Sequence, residues 1–242
     1  MPCFFVPHLK KDSHTITIIG AEHHHIVHVF RRQEGDEILL TSGDGFLAKA
    51  KIIEIGKKSL VSEILEISNP EKSIPEISVA IPLLKNKHDN LIVEKLTELG
   101  VKKFYPITTE RTVRKGSSNI PDKFQKIAIA AIKQCDNAYL PEISECISLE
   151  ELLEELPENV VPVAALEVGK HKLIDQVVTS EQSVCIIIGP EGGFSPKEIE
   201  MMKQKEVKTI SLGNHILRAE TAAITAVSQL LSVYLKADPD YY

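Results

Sequence analysis

From residue 77 onward the chain alternates short apolar runs with helix-patterned segments, and few folds satisfy that alternation. Ile77–Leu84, Lys103–Ile107, Val160–Leu166, Val184–Ile188 and Val207–Leu212 read as strands. His88–Leu99 (stopped by Gly100), Asp122–Gln134 and Glu220–Leu235 read as helices. Two more helices open at Ser148-Leu149-Glu150-Glu151 and Ser195-Pro196-Lys197-Glu198. Both openings are capping boxes, and Pro196 stands at the first helical position, where its missing N–H costs nothing. Such alternation implies a parallel sheet covered on both faces. Val160–Leu166 and Val184–Ile188 are apolar on both sides and suit its interior.

The first seventy residues are patterned differently. Thr15–Ile19, Glu37–Thr41 and Lys49–Ile53 are β-branched runs separated by the turn signals Glu34-Gly35-Asp36, Ser42-Gly43-Asp44-Gly45 and Ile55-Gly56-Lys57-Lys58. Short strands at this spacing suggest a small barrel, with one helix around Glu22–Phe30. Ser68-Asn69-Pro70-Glu71-Lys72-Ser73-Ile74-Pro75 is the candidate linker, so the reading is two domains, 1–72 and 73–242.

The chain has 242 residues and a net charge of −6, which argues against broad, non-specific nucleic-acid binding but leaves room for a local basic face. Leu84–Gln134 holds eleven Lys and Arg against five acidic residues, balanced by an acidic stretch around Glu142–Glu158. Arg111, Arg114 and Lys115 beside Gly116-Ser117-Ser118 form a basic loop suited to phosphates, with Arg31 and Arg32 as further candidates from the first domain. Four cysteines show no metal-finger spacing, no signal peptide is evident and no apolar run reaches membrane-spanning length. The expectation is a reduced, cytoplasmic protein with no membrane contact. His23-His24-His25 with His28 lacks an accompanying carboxylate motif, so no metal is expected.

Two strand–loop–helix stretches carry the chemistry. After Val184–Ile188 comes Gly189-Pro190-Glu191-Gly192-Gly193-Phe194-Ser195, and after Val207–Leu212 comes Gly213-Asn214-His215-Ile216-Leu217-Arg218-Ala219-Glu220-Thr221. Loops at the carboxyl ends of parallel strands are where such sheets bind ligands. Neither GxxxxGK[ST] nor GxGxxG is present, and Glu191 would repel a polyphosphate. The first loop therefore suits a ligand held through backbone amides and carbonyls, although a plain glycine turn also explains it. In the second, Ile216 and Leu217 suit an apolar or aromatic ring. A first-turn carboxylate favoured by the helix dipole explains Glu220 as well, and a surface ion pair explains Arg218.

GPEGGFSPKEIE followed by LGNHILRAETAA resembles the signature of the RsmE family, small-subunit rRNA uridine-N3 methyltransferases of the SPOUT class. His25-Ile26 with Val29-Phe30-Arg31 and Gly35-Asp36, Lys85, Lys95–Val101, Thr109–Val113 and Lys126–Cys135 are similar to other parts of that family. The resemblance implies an α/β fold: a C-terminal parallel-sheet SPOUT domain tied in a trefoil knot, preceded by a small PUA-like β-barrel that binds RNA. It implies an S-adenosylmethionine site built from Leu166, Glu167, Gly189, Glu191, Gly192, Gly193, Leu212, Gly213, Ile216 and Leu217.

The reaction implied is transfer of methyl to uracil N3 in 16S rRNA or the small ribosomal subunit. N3 is a poor nucleophile while protonated. Arg218 is the candidate to stabilise negative charge on the uracil oxygens or a flanking phosphate, and Glu220 to orient Arg218 or act as base. Arg31, Arg32, Lys85, Arg111, Arg114 and Lys115 are the RNA-binding candidates. The alternatives are a SPOUT enzyme acting on another RNA target, such as a ribose 2′-hydroxyl, and a non-catalytic rRNA-binding assembly factor. A homodimer is implied, with Ala222, Ala223, Ala226 and Ser228 of the last helix as a close-packing face; packing within the chain explains them equally.

Overall fold

In the computed structural model the described residues are 1–70, 75–114, 116, 118–167 and 172–235. They fall into two units: Met1–Glu71 with Ile129–Leu140, and Lys72–Ala128 with Pro141–Tyr242. Part of the candidate linker, residues 71–74, lies outside the described residues, as does Lys115.

The first unit contains β1 (Cys3–Phe5), β2 (Thr15–Ile19), α1 (Gly20–His24), β3 (Glu37–Thr41), β4 (Leu47–Ile55) and β5 (Ser59–Ser68). They form a five-stranded sheet in the order β1-β3-β4-β5-β2, antiparallel except for the β1–β3 pair. Alternation decides the inward face: Ile16 and Ile18 of β2, and Ala48, Ala50 and Ile52 of β4, are buried while their neighbours are not. β1 and β5 were not singled out from the sequence. Beyond Leu60, β5 carries a partly polar run (Ser62, Glu63, Glu66) that masks its period of two.

The helix expected at Glu22–Phe30 begins as α1 and continues over His25–Val29 with π-helical winding, closed by Phe30 N–H to the His25 carbonyl at 2.9 Å. Ile26 on it is fully buried. The segment Ala138–Leu140 is stitched to the turn after β3. Gly45 N–H donates to the Ala138 carbonyl (2.9 Å) and Leu140 N–H to the Gly43 carbonyl (2.7 Å). A Cβ at Gly43 would stand 2.9 Å from Leu140 Cβ, which is why that turn is glycine.

The second unit contains β6 (Ile77–Pro82), α2 (His88–Glu98), β7 (Lys103–Thr108), α3 (Ile120–Gln134, shared between the units), β8 (Glu142–Ile143) and β9 (Ile147–Ser148). There follow α4 (Leu149–Glu155), β10 (Val160–Ala165), β11 (Ser183–Ile187), α5 (Pro196–Gln204), β12 (Lys208–Ile210) and α6 (Ala219–Leu235). The sheet runs β12-β10-β11-β6-β7-β8, with β9 also on β7, and every pairing is parallel.

The two central strands are buried almost throughout: Val79, Ala80 and Ile81 of β6, and Val184, Cys185, Ile186 and Ile187 of β11, are 0 % exposed. Each such Val or Ile contributes roughly 1.5–3 kcal/mol on burial, so these runs are the least ambiguous signals in the sequence. Both capping boxes form as expected, at Ser148 and Ser195. The strand expected at Val207–Leu212 pairs only over Lys208–Ile210. Its last residues turn away, with Ser211 N–H donating instead to the Lys172 carbonyl at 3.0 Å.

Strand order fixes where a ligand can sit. The chain leaves β6 through α2 toward β7 on one side, and leaves β11 through α5 toward β12 on the other. Adjacent strands whose connections depart in opposite directions leave a crevice at their carboxyl ends. Here that crevice lies between β6 and β11.

Candidate active site

A cavity of about 680 Å³ opens at the carboxyl end of the parallel sheet, within the range of small-molecule sites. Five loops line it, one after each of five adjacent strands. They contribute Lys85, Asn86 and His88 after β6, Arg111 after β7, Leu166 and Glu167 after β10, 188–194 after β11 and 211–218 after β12. All ten cofactor candidates named from the sequence lie in this one lining, as do Arg218 and Glu220.

The loop after β11 is held rigidly. Gly193 adopts φ +64°, a left-handed conformation that glycine takes without strain, and its N–H donates to the Pro190 carbonyl at 2.8 Å. A Cβ at Gly189 would stand 3.1 Å from the Phe194 ring, and one at Gly192 3.3 Å from Arg111 Cβ. Arg111 Nη1 donates to the Gly192 carbonyl at 2.8 Å. Glu191 Oε1 accepts the Lys85 N–H at 3.0 Å, joining the two loops that flank the crevice. Ser195 caps α5, and Glu198 of the same box also accepts the Glu110 N–H at 2.8 Å.

The second loop is more open. Gly213 has φ +148°, and Ser211 Oγ donates to the Gly213 carbonyl at 3.2 Å. Ile216 is 77 % exposed, an apolar side chain in the cavity lining that the protein leaves largely uncovered. The Arg218 side chain is exposed and makes no hydrogen bond or ion pair among the described residues. Glu220 is bonded not to Arg218 but to His88, with Nδ1 3.1 Å from Oε1. His88 was missed because its partner lies 132 residues away, a juxtaposition that no local pattern encodes.

The RNA candidates separate. Lys85 and Arg111 reach the cavity, and Arg114 pairs with Asp89, whose side chain is fully buried. Arg31 and Arg32 lie in the first unit, Arg31 at φ +53° and Arg32 3.8 Å from Asp36. His23 Nε2 is within 3.1 Å of the Gly56 carbonyl, and no three metal-ligating side chains converge among the described residues. None of the four cysteines forms a disulfide, and burial pushes the Cys185 thiol up to about 12, so it supplies no nucleophile to the loop that follows it. No helix is long and apolar enough to cross a membrane among the described residues.

Comparison with known proteins places the chain in a known class. The RNA methyltransferase domain family matches residues 70–231, and the RNA methyltransferase PUA domain matches residues 18–65. The ribosomal RNA small subunit methyltransferase E of Bacillus subtilis is 32 % identical over 232 residues, 91 % of each chain, and that of Aquifex aeolicus 33 % over 208 residues, 84 % of this chain and 88 % of the other. A solved Legionella pneumophila methyltransferase in complex with the cofactor SAM superposes with a TM-score of 0.85 at 28 % identity, over 95 % of this chain and 96 % of that one. The chain belongs to the family of ribosomal RNA small subunit methyltransferases E.

Proposed function

We propose that this protein transfers methyl from S-adenosylmethionine to N3 of a uridine in 16S rRNA. The observation that carries the reading is the convergence of five strand-end loops on one glycine-lined cavity. The residues present fit that cofactor. Gly193 has open space where a Cβ would stand, and the missing Cβ atoms of Gly189 and Gly192 let Phe194 and Arg111 pack against the loop that lines the cavity. Leu166, Ile216 and Leu217 supply apolar contact for a nucleoside ring, and Glu167, Glu191 and Glu220 supply negative charge for a cationic ligand.

When bound, the cofactor supplies an electrophilic methyl on a sulfonium. The protein's part is to orient the uracil, exclude water and stabilise charge. Arg218, exposed and without a side-chain partner among the described residues, can meet the uracil oxygens or a flanking phosphate with its planar fork. Lys85 and Arg111 at the rim, with Arg31, Arg32, Arg114 and Lys115, complete the proposed RNA contacts. The trefoil knot, the domain limits at 1–72 and 73–242, cytoplasmic location and a homodimer belong to the same proposal. For the homodimer, Ala223 and Ala226 are already buried within the chain, which leaves Ala222 and Ser228 to a partner.

The test is transfer of tritiated methyl onto small ribosomal subunits that lack this modification, followed by digestion to nucleosides. N3-methyluridine is the expected product. A 2′-O-methyl nucleoside would overturn the N3 assignment, and cofactor binding without transfer would favour the assembly-factor reading.

A further inference from the structure

We propose that His88 is a catalytic residue, the acceptor of the uracil N3 proton, and that Glu220 positions it; this rests on the function proposed above. A carboxylate only accepts hydrogen bonds, so the 3.1 Å contact between His88 Nδ1 and Glu220 Oε1 requires the imidazole proton on Nδ1. A neutral ring so held has its lone pair on Nε2. No hydrogen bond occupies Nε2 among the described residues. The ring lines the cavity with its side chain 40 % exposed, while Glu220 is only 14 % exposed. The histidine is therefore open to a substrate on the side away from a largely covered orienting carboxylate, an arrangement that suits a general base.

The backbone presents His88 deliberately. Asn86 and Lys87 are both left-handed, at φ +52° and +60°, and turn the chain so that His88 is the first residue of α2. Such conformations are disfavoured in a residue other than glycine, less so in asparagine than in lysine.

The surrounding charges come from every loop of the cavity. Beside His88 in sequence stand Lys85 and Lys87, with Asp89 already paired to Arg114. The lining also holds Glu167, Arg111 and Glu191, the last bonded to the Lys85 N–H, and α6 with its preceding loop contributes His215 and Arg218 as well as Glu220. Glu220 is the only one of these hydrogen-bonded to the imidazole among the described residues.

The step balances. The N3 proton passes to His88 Nε2, and the pair left on N3 forms the new N–C bond. The methyl's bond to sulfur breaks, with its pair remaining on sulfur, and the imidazolium is stabilised by Glu220 until solvent takes the proton.

The test compares wild type with His88→Gln and Glu220→Gln. At neutral pH, His88→Gln is expected to lose roughly 10²–10⁴-fold in methyl transfer. The loss should shrink as pH rises, because uracil then ionises unaided, and added imidazole should restore part of the rate. Cofactor affinity of His88→Gln by calorimetry should change by less than about threefold, about 0.65 kcal/mol. Independently of turnover, ¹⁵N spectra of the unliganded wild type should show His88 protonated on Nδ1 when neutral, and Glu220→Gln should lose that preference. Retention of rate and pH profile by His88→Gln, or an Nε2–H tautomer in wild type, would overturn the role of His88 while leaving the methyltransferase reading intact. Wild type that makes no N3-methyluridine would overturn both.

Discussion

The loops after β11 and β12 face each other across one cavity, yet they are held in different ways. The first is tied through Arg111 to the Gly192 carbonyl, through Glu191 to the Lys85 N–H, and through the Ser195 cap on α5. The second has a serine–glycine turn, an exposed Ile216 and an Arg218 whose side chain has no partner among the described residues. The difference suits a division of labour in which the fixed loop shapes a small-molecule seat and the open loop meets a large substrate.

The largest test of that division is Arg218→Ala. Loss of a charge-stabilising donor typically costs about 10²–10³ in turnover, so methyl transfer should fall by that amount while cofactor affinity and thermal midpoint stay within error. Wild-type turnover would remove the open loop from the chemistry. Gly193→Val attacks the fixed loop. A β-branched residue at φ +64° is strained by about 1–3 kcal/mol, and calorimetry should show cofactor binding weakened by roughly tenfold to a hundredfold. Unchanged affinity would mean that the seat does not depend on this backbone.

Smaller effects sharpen the contrast. Ser195→Ala removes a cap worth about 1 kcal/mol and should lower the thermal midpoint by ~2–4 °C, with a modest loss of cofactor affinity. Ser148→Ala removes the same motif from α4, away from the cavity, and should leave that affinity unchanged. Smallest is a labelling difference. The Cys3 and Cys185 thiols, raised to about 12 chiefly by burial, stay protonated at neutral pH. Half-buried Cys135 and Cys146 should therefore be alkylated before Cys3 and Cys185 in the native protein, and faster labelling of Cys185 would show the sheet opening beneath the fixed loop.

The legible parts of the molecule are those where local chemistry and fold agree. β6 and β11 read as buried strands because both faces are apolar, and the helix starts at Ser148 and Ser195 were visible because a capping box is complete within four residues. β5 was overlooked because its glutamates interrupt the alternation. The ten cofactor candidates were named through resemblance, on two stretches about two dozen residues apart and an earlier strand end. The sheet brings them together.

The sequence by itself determined that a β-rich segment precedes a parallel α/β unit, and that two glycine-bearing loops end two of its strands, because hydrophobic period, caps and glycine are properties of neighbouring residues. Only the tertiary structure decided that Glu220 holds His88 rather than Arg218, that Arg114 is engaged by a buried Asp89, and that Ala138–Leu140 fastens the turn after β3. These pairings join residues 25 to 132 positions apart. They follow from strand order and loop closure, which bring distant side chains within hydrogen-bonding reach.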